Sequence, residues 1–442
     1  MISFEEAKKT LFSRQDLVKK DTLGRALACL EKLGNPHLGL KTVHVTGTNG
    51  KGSACALFEA AARAAGLKTG LFISPHLVSP AERISYCGEY IDEKEFAALF
   101  GEVYAAGPEL GFFELLTCMA FLYFQRRKTD LAVIEVGIGG RFDTTNVLPK
   151  PVLSVITSVD YDHKKYLGDT LPEIASQKAG IIKPGGVCLA PILPPEVRAV
   201  ISKEAAEKAA QCHFFAPVFE IAGRDWEKNR LTLRHKKTGE LYPFGILGEA
   251  QASNATLVWE GLEIMRGMGW PISRAHAAAG FASVSWRARF QVLPRTGRFP
   301  DNSIKAELYC PARRDPRKTL FIIDGAHNEE AARAFSATWK SSPFSGEPAV
   351  FVVGILQDKE RRGVLELLAP LAKKFIFTRP DSPRAADPCA LADELSAIRP
   401  DAEVEVQEDI RAALSAAAGC GTAAVLGSFY LAGSALEILA ES

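Results

Sequence analysis

The chain lacks a marked excess of charge of either sign. Its 442 residues include 53 Lys and Arg against 52 Asp and Glu, which gives a formal net charge of +1. General nucleic-acid-binding proteins normally carry a basic excess, because neutralising phosphates supplies much of their affinity. The balance therefore argues against a nucleic-acid partner, and the short basic clusters Arg126-Arg127-Lys128 and Arg313-Arg314 are expected to be solvated.

Paired cysteines and long apolar runs are also missing. The nine cysteines include no CxxC pair, so we expect buried thiols in a reducing compartment rather than a disulfide framework or a zinc site. No uninterrupted apolar stretch approaches the length of a membrane span. The first residues, MISFEEAKKTLF, are charged and amphipathic, unlike a signal peptide. These absences predict a cytoplasmic protein with no membrane partner.

What the chain does have is the composition of a globular protein in which short strands alternate with helices. Hydrophobic residues make up 47% and charged residues 24%, and the length exceeds one comfortable core. Segments 131–136 and 152–157 are apolar without polar alternation, as expected for strands covered on both faces of a parallel sheet. The stretch 294–319, which contains Pro and Gly, has the character of a linker. We therefore predict an α/β fold with domains at 1–290 and 291–442.

The most informative segment is 42–66, TVHVTGTNGKGSACALFEAAARAAG. A β-branched stretch predicts a strand over 42–46, seven loop residues follow, and an Ala-rich run predicts a helix up to Gly66. The loop consists of Gly47, Thr48, Asn49, Gly50, Lys51, Gly52 and Ser53. Such a loop presents backbone N–H groups and a helix N-terminus to a polyphosphate. We therefore predict an ATP site in a P-loop parallel-sheet ATPase domain, followed by a smaller Rossmann-like α/β domain.

Two side chains of this loop have expected roles. Lys51 can reach the outer phosphates and Ser53 can hold Mg²⁺, as in other P-loops. Gly52, which lies between them, departs from the common motif. The alternative is a glycine-rich turn whose lysine is merely solvated. Because strand, loop and helix occur in order, the nucleotide site is favoured.

Other candidate residues lie at the ends of predicted strands. Glu135 ends one apolar strand, His163 follows another, and Ser74 ends a third. Ligands of open α/β sheets bind outside the carboxyl ends of the strands, and a carboxylate buried without a partner is costly. Mg²⁺ bound to ATP would be a partner for Glu135, with Ser74 or His163 completing the ligands. The alternatives are an ion pair between Glu135 and Arg141, and a purely structural role for His163.

Two further features are weak when taken alone. Lys178 in SQKAGIIKPGG has the appearance of an ordinary exposed lysine, and Lys183 is equally unremarkable. The segment Gly137-Ile138-Gly139-Gly140 after a strand could indicate a dinucleotide-binding turn. However, Phe142 stands where the last glycine of GxGxxG belongs, and no convincing helix follows. A nicotinamide enzyme is therefore disfavoured.

Several ordered motifs resemble one known family. They are HVTGTNGKGS, SPHL with AERI, FFELLT, EVGIGGRFDTTN, DYDH with LGDT, QKAGIIK, IIDGAHN, GILQDKE and GSFYLAG. Their order is that of the folylpolyglutamate synthase and dihydrofolate synthase family, a branch of the Mur-type amide ligases. The resemblance runs from about residue 40 to the C-terminus and includes the glycine between Lys51 and Ser53.

The resemblance implies that the protein joins L-glutamate to folate or dihydropteroate. ATP and Mg²⁺ would convert a substrate carboxylate into an acyl phosphate, which the amine of glutamate then attacks. By the same resemblance, Lys51 stabilises the transferring phosphoryl group and Ser53 binds the first Mg²⁺. Lys178 matches a lysine that in this family is carbamylated by CO₂ and then helps to hold a second Mg²⁺. The other implied ligands of that second ion are Ser74, Glu135 and His163.

The resemblance also implies contacts around the nucleotide and the folate substrate. Asn254 matches a residue near adenine, and Arg289 matches an arginine that reaches the ATP phosphates. Asp324 and His327 match nucleotide contacts from the C-terminal domain. Asp143 matches a residue on the pterin side, with a turn-stabilising aspartate as the alternative.

Some positions depart from the family pattern. Trp286-Arg287-Ala288-Arg289 stands in place of WPGR, Ala250 in place of a histidine, and Gly111 in place of a threonine. The stretch 295–318 is longer than expected and could form an extra hairpin or lid. None of these departures removes a phosphate or metal residue, so they affect substrate detail rather than reaction class. Dihydrofolate synthesis, polyglutamylation or both stay open, and both together is favoured.

Two other functions are kept as alternatives. A Mur-type enzyme acting on a cell-wall precursor would share the reaction class, but the ordered motifs argue against it. A nucleotide-binding switch without chemistry would need only the glycine loop, so Glu135, His163 and Lys178 argue against that function. A monomer is expected.

Overall fold

We describe the protein from a computed structural model, which covers residues 2–15, 22–293 and 319–441. The predicted linker, with its extra hairpin or lid at 295–318, and the Arg313-Arg314 cluster lie outside these described residues. By their internal contacts, the residues form two compact units. The first comprises Met1–Glu220, His235–Tyr242 and Ala252–Val284, and the second comprises Ile221–Arg234, Pro243–Gln251 and Ser285–Ser442. The single boundary at 290 stays a prediction.

The elements up to residue 293 alternate as the sequence predicts. The helices are α1 Phe4–Phe12, α2 Thr22–Lys32, α3 Lys51–Ala64, α4 Glu93–Ala106, α5 Phe112–Arg126, α6 Lys164–Leu167, α7 Leu171–Ala179, α8 Pro195–Glu207, α9 Gln251–Gly267 and α10 Arg274–Ser283. The strands are β1 Thr42–Thr46, β2 Thr69–Phe72, β3 Ile84–Tyr86, β4 Glu89–Tyr90, β5 Leu131–Glu135, β6 Leu153–Ile156, β7 Val187–Pro191, β8 Gln211–Phe215, β9 Phe219–Asp225, β10 Arg230–His235, β11 Leu241–Phe244 and β12 Gln291–Leu293. Short 3₁₀-helices cover Pro80–Arg83 and Thr144–Val147.

The first unit is built on a sheet with strand order β4-β3-β2-β5-β1-β6-β7-β8. Neighbouring strands from β2 to β8 are parallel, and β3 and β4 pair antiparallel at one edge. Strands β1, β5 and β6 are buried along their whole length, which confirms the prediction from their apolar sequences. Their carboxyl ends therefore lie side by side at the edge where ligands of α/β sheets bind.

Helix α3 is buried on nearly all sides, which explains its Ala-rich sequence. Residues 52–62 are all buried. Gly280 of α10 approaches so closely that a Cβ there would lie 2.5 Å from the backbone nitrogen of Ala61, and a Cβ at Gly261 of α9 would lie 2.6 Å from the Phe58 ring. Close packing of this kind leaves no room for movement without repacking. The first turn of α3, which carries the glycine loop, is thus held firmly.

The second unit contains another parallel sheet, as predicted. The strands that complete it are β13 Leu320–Ile323, β14 Ala349–Val353, β15 Lys374–Phe377, β16 Glu403–Val406 and β17 Thr422–Leu426, and the helices are α11 Glu329–Lys340, α12 Arg361–Leu368, α13 Pro388–Ile398, α14 Ile410–Ala417 and α15 Phe429–Glu441. The strand order is β12-β13-β17-β14-β15-β16, and β12 is antiparallel to β13 whereas the other pairs are parallel. Trp339 and Phe351 pack edge to face in the core, with ring centroids 4.9 Å apart. The predicted α/β class with a Rossmann-like second domain is confirmed.

The remaining strands, β9, β10 and β11, form a three-stranded sheet. No helix within the described ranges combines the length and the apolar character needed to cross a membrane.

Candidate active site

The glycine loop joins β1 to α3 and is fixed by the segment that follows β6. The backbone N–H of Thr48 donates to the carbonyl of Ser158 (3.1 Å), and the N–H of Asn49 donates to Oγ of Ser158 (3.0 Å). The Thr157 hydroxyl donates to the carbonyl of Asn49 (2.5 Å). A Cβ at Gly47 would collide with Oγ1 of Thr157, so only glycine allows this close approach. The loop is therefore preorganised by Thr157 and Ser158, two residues that the sequence did not single out.

Two polar side chains of the loop are held ready for a ligand. Nζ of Lys51 donates to the carbonyls of Gly47 and Thr48, both at 3.0 Å. The ammonium group is therefore held against the loop. The Ser53 hydroxyl is 1% exposed and has no hydrogen-bond partner among the described residues. Burying a hydroxyl without a partner costs free energy. A ligand that accepts or coordinates this hydroxyl would remove that cost.

Asn254 of α9 lies beside the glycine loop, which brings together two predicted nucleotide residues. Gly50 is the residue before α3 and has a φ of +81°. A Cβ at Gly50 would lie 2.6 Å from Oδ1 of Asn254. The side chain of Asn254 is thus in contact range of the loop that would hold the phosphates.

Gly50 and Gly66 form a matched pair at the two ends of α3. Both have a φ of +81°, where alanine costs roughly 1–2 kcal/mol. A Cβ at Gly66 meets nothing within 4 Å, unlike one at Gly50. We expect Gly50→Ala to weaken ATP binding at least about tenfold, a loss of about 1.4 kcal/mol, and Gly66→Ala to leave it unchanged. Calorimetric titration with ATP measures the affinity, and urea unfolding measures the stability that each variant loses. Equal affinities in the two variants would contradict this role of the loop.

Glu135 and Ser74 meet at the carboxyl ends of neighbouring strands. The backbone N–H of Ser74 donates to Oε2 of Glu135 (3.0 Å), and Glu135 is only 3% exposed. The alternative ion pair with Arg141 is wrong, because the guanidinium of Arg141 pairs with Glu204 instead (2.7 Å).

Burial and the Glu135 carboxylate raise the pKa of the Cys55 thiol, whereas Lys51 lowers that pKa. Glu135 and Lys51 therefore both act electrostatically on one thiol of α3.

Lys178 is buried in the last turn of α7. Its residue exposure is 2%, so the alternative of an ordinary exposed lysine is wrong. The loop after β5 packs against this helix end, because a Cβ at Gly140 would lie 3.1 Å from the carbonyl oxygen of Lys178. Since Gly140 comes five residues after Glu135, the fold brings the Lys178 segment to the loop that follows Glu135.

His163 follows β6 and precedes the short helix α6. Its φ is +51°, and its N–H donates to Oδ1 of Asp162 (2.8 Å). Nε2 of His163 lies 3.9 Å from the same carboxylate oxygen. The sheet order β2-β5-β1-β6 places the ends of these strands in succession along one edge. Ser74, Glu135 and the glycine loop lie at the ends of β2, β5 and β1, and His163 comes seven residues after β6.

The described residues contain no group of three or more His, Cys, Asp or Glu side chains arranged to hold a metal ion. A divalent ion at this edge would therefore need other oxygen ligands besides Glu135, such as hydroxyls, water or phosphate. The orphan hydroxyl of Ser53 fits such a role.

Asp143 uses both carboxylate oxygens to hold its own turn. Oδ2 accepts the N–H of Ile138 (3.0 Å), and Oδ1 accepts the N–H (3.0 Å) and hydroxyl (2.6 Å) of Thr145. Burial raises the pKa of Asp143, and these hydrogen bonds counteract the rise. His44 extends the network, with Nε2 2.8 Å from Oγ1 of Thr145. Burial, followed by the charge of Lys183, lowers the pKa of His44 to about 3. These contacts match the turn-stabilising alternative for Asp143.

In the second unit, two predicted residues, Arg289 and His327, contact one aromatic ring, and a third, Asp324, lies within electrostatic range of Arg289. The Arg289 guanidinium lies over the Phe429 ring (4.8 Å to the centroid), and the His327 ring is 5.3 Å from it. Asp324 accepts the N–H groups of Phe290 and Ala326, both at 2.7 Å. Burial raises the pKa of Asp324, whereas Arg289 and these N–H groups lower it. Phe429, at the start of α15, was not predicted to be a site residue.

The glycine loop lies between a parallel strand, β1, and a helix, α3, and an acidic residue ends the neighbouring strand of the sheet, β5. This arrangement defines a P-loop type of nucleotide-binding α/β protein. A family model described as Mur ligase, glutamate ligase domain, matches residues 312–426. The dihydrofolate synthase/folylpolyglutamate synthase of Bacillus subtilis (strain 168) is 30% identical over 400 residues, which cover 87% of each chain. The Mycobacterium tuberculosis folylpolyglutamate synthase complexed with ADP superposes with a TM-score of 0.84 and 29% identity, covering 99% of this chain and 98% of that one. The Escherichia coli FolC structure in complex with DHPP and ADP has a TM-score of 0.79 and 26% identity, covering 99% of each chain.

The chain therefore belongs to the folylpolyglutamate synthase/dihydrofolate synthase family. The resemblance drawn from the motifs is confirmed, and with it the class of the protein, an ATP-dependent ligase.

Proposed function

We propose that this chain forms an amide between L-glutamate and a folate-type carboxylate through an acyl phosphate. ATP transfers its γ-phosphoryl group to the carboxylate, the glutamate amine attacks the acyl carbon, and phosphate leaves from the tetrahedral intermediate. The observation that carries this proposal is the fixed glycine loop, in which Lys51 is bonded to two loop carbonyls and Ser53 has a buried hydroxyl with no hydrogen-bond partner among the described residues. Family membership and the ADP present in solved relatives support the same reaction.

The glycine loop would bind the polyphosphate. Its N–H groups and the start of α3 favour negative charge, and the ammonium group of Lys51 would exchange its loop carbonyls for phosphate oxygens. We assign Gly47 to Ser53 to this role, with Asn254 near the adenine. From the second unit, Arg289 would reach the phosphates, and Asp324 and His327 would contact the nucleotide.

Two Mg²⁺ sites fit the donors at the sheet edge. Bound Mg²⁺ would neutralise the repulsion between phosphate and carboxylate oxygens. Ser53 would hold the first ion through the hydroxyl that has no other partner in the described chain. The second ion would be held by Ser74, Glu135 and His163, together with a carbamate on Lys178.

A carbamate on Lys178 is consistent with the burial of that residue. Reaction of the neutral amine with CO₂ gives a carbamate anion and releases a proton, so the residue changes from a cation into an oxygen ligand. Asp143 would act on the pterin side through the turn that its carboxylate fixes. We further propose that the protein works as a cytoplasmic monomer, with domains at 1–290 and 291–442.

A product assay tests the proposed function. Purified protein is offered dihydropteroate or tetrahydrofolate, each with ATP, Mg²⁺ and L-glutamate, and the amide is measured by mass spectrometry alongside phosphate release. We expect glutamate-dependent product from both folate-type substrates. A muramyl nucleotide arm tests the cell-wall alternative, and the absence of glutamate-dependent ATP turnover in every arm would overturn the ligase proposal in favour of a nucleotide-binding switch.

A further inference from the structure

The carboxyl end of α7 is capped by residues from a distant part of the chain. The last carbonyls of a helix have no partner within the helix. In α7, the carbonyl of Ser176 accepts Nη2 of Arg141 (3.0 Å), and the carbonyl of Gln177 accepts the backbone N–H of Arg141 (2.7 Å). Arg141 belongs to the loop that follows β5 and Glu135. The turn of helix that carries Lys178 is therefore bonded to the Glu135 loop.

Asn146 adds a second connection between the same two segments. Its side-chain amide donates to the carbonyls of Arg141 (3.0 Å) and Gly180 (3.2 Å). The backbone carbonyl of Asn146 accepts a hydrogen bond from Nζ of Lys183 (2.8 Å). Two carbonyl acceptors fix which way the amide points, since only the NH₂ group can donate to both. Asn146 thus joins the loop before it to the helix end and to the turn after it.

The end of α7 and the loop after β5 are closely packed against each other. A Cβ at Gly180 would collide with Cβ of Arg141, and one at Gly140 would lie 3.0 Å from the carbonyl oxygen of Gln177. The Arg141 guanidinium is in turn held by Glu204 of α8 at 2.7 Å. The end of α7 therefore cannot shift without breaking the hydrogen bonds that Arg141 and Asn146 make to its carbonyls.

We propose that Arg141 and Asn146 are positioning residues, which cap α7 and so set the place of Lys178 relative to Glu135. The inference rests on the proposed function, because it gives a catalytic purpose to the position of Lys178. Neither residue is placed in contact with the reacting atoms. Their effect is transmitted through the backbone carbonyls of residues 176–180.

The test uses Asn146→Asp, which keeps the side-chain shape but replaces both donors with an acceptor facing two carbonyls. We expect kcat of ligation to fall about tenfold to a hundredfold, the usual cost of losing such a supporting hydrogen bond, while KM for ATP changes by less than about threefold. Arg141→Lys, which keeps the charge opposite Glu204 but loses the planar fork, is expected to behave similarly. This second variant keeps the proposal testable if Asn146→Asp does not fold.

Arg399→Lys is the matched control, because Arg399 also donates to backbone carbonyls, those of Ala369 (2.5 Å) and Ala372 (2.6 Å), but in the second unit. We expect it to leave kcat unchanged. Reductive methylation of lysines in CO₂-free buffer, read by mass spectrometry, provides a measurement independent of ligation. Lys178 should be protected in the wild type and in the control, but labelled in Asn146→Asp.

The possible failures are distinct. Wild-type protein without ligase activity overturns the proposed function, whatever the labelling shows. An active wild type whose Asn146→Asp and Arg141→Lys variants keep kcat and the protection of Lys178 overturns the positioning inference alone.

Discussion

Lys51→Ala is expected to abolish glutamate-dependent ATP turnover while leaving the fold intact. The ammonium group is the only positive charge carried on the glycine loop itself, and donors aimed at a developing charge are worth about a hundredfold to a thousandfold each. We expect kcat to fall by at least about a thousandfold, since Lys51 provides a full charge as well as a donor. Phosphate release with and without L-glutamate measures the effect.

The matched control for this change is Lys32→Ala. Nζ of Lys32 donates to the carbonyl of Ala106 (2.8 Å), so both substitutions remove a lysine bonded to backbone carbonyls. Each should lower the free energy of unfolding by about 1 kcal/mol, but only Lys51→Ala should stop turnover. Near-normal turnover in Lys51→Ala would rule out the phosphate role of Lys51.

The glycine loop was predictable because all its determinants are contiguous in the sequence. The β-branched strand, the glycines and the Ala-rich helix follow one another within 42–66, and each has a local physical reason. Glu135 was predictable because a carboxylate at the end of a fully apolar strand needs a partner. That both lie at the same edge of the sheet follows from the general rule for the carboxyl ends of parallel strands, whereas the order of the strands was not predicted.

The surroundings of Lys178 were not predictable, because they depend on contacts between distant segments. The partner of Arg141 is Glu204, 63 residues away on α8, and no periodicity indicates that pairing. The burial of Lys178 was missed for a related reason, because Arg141 and Asn146 contact its helix end from a distant part of the chain. The burial of His44, in contrast, could have been predicted. This histidine lies within a strand whose other residues are apolar or β-branched.

Phe429 illustrates a different limit. Its place in GSFYLAG gave no reason to expect an aromatic platform under Arg289 and beside His327. A Cβ at Gly325 would collide with the Phe429 ring, so the small residue in IIDGAHN and the large one in GSFYLAG fit each other. Such pairs become visible only when β13 and α15 are placed in space.

Lys178→Ala is expected to reduce kcat at least about a thousandfold, because it removes the group that would carry the carbamate and with it an oxygen ligand of the second Mg²⁺. The substitution also opens a space at a position that is only 2% exposed. Short carboxylic acids such as formate or acetate can enter that space and supply the missing carboxylate oxygens. We therefore expect millimolar acetate or formate to restore part of the lost activity, measured as glutamate-dependent phosphate release.

Lys178→Met is the matched variant that separates chemistry from volume. It removes the amine as Lys178→Ala does, but its side chain fills the same space, so added carboxylates should not restore activity. Urea unfolding of both variants verifies that each keeps a cooperative fold. Full activity of either variant without additive would refute the carbamate. Equal rescue of both would show that carboxylates act elsewhere, since only the alanine variant leaves room at position 178.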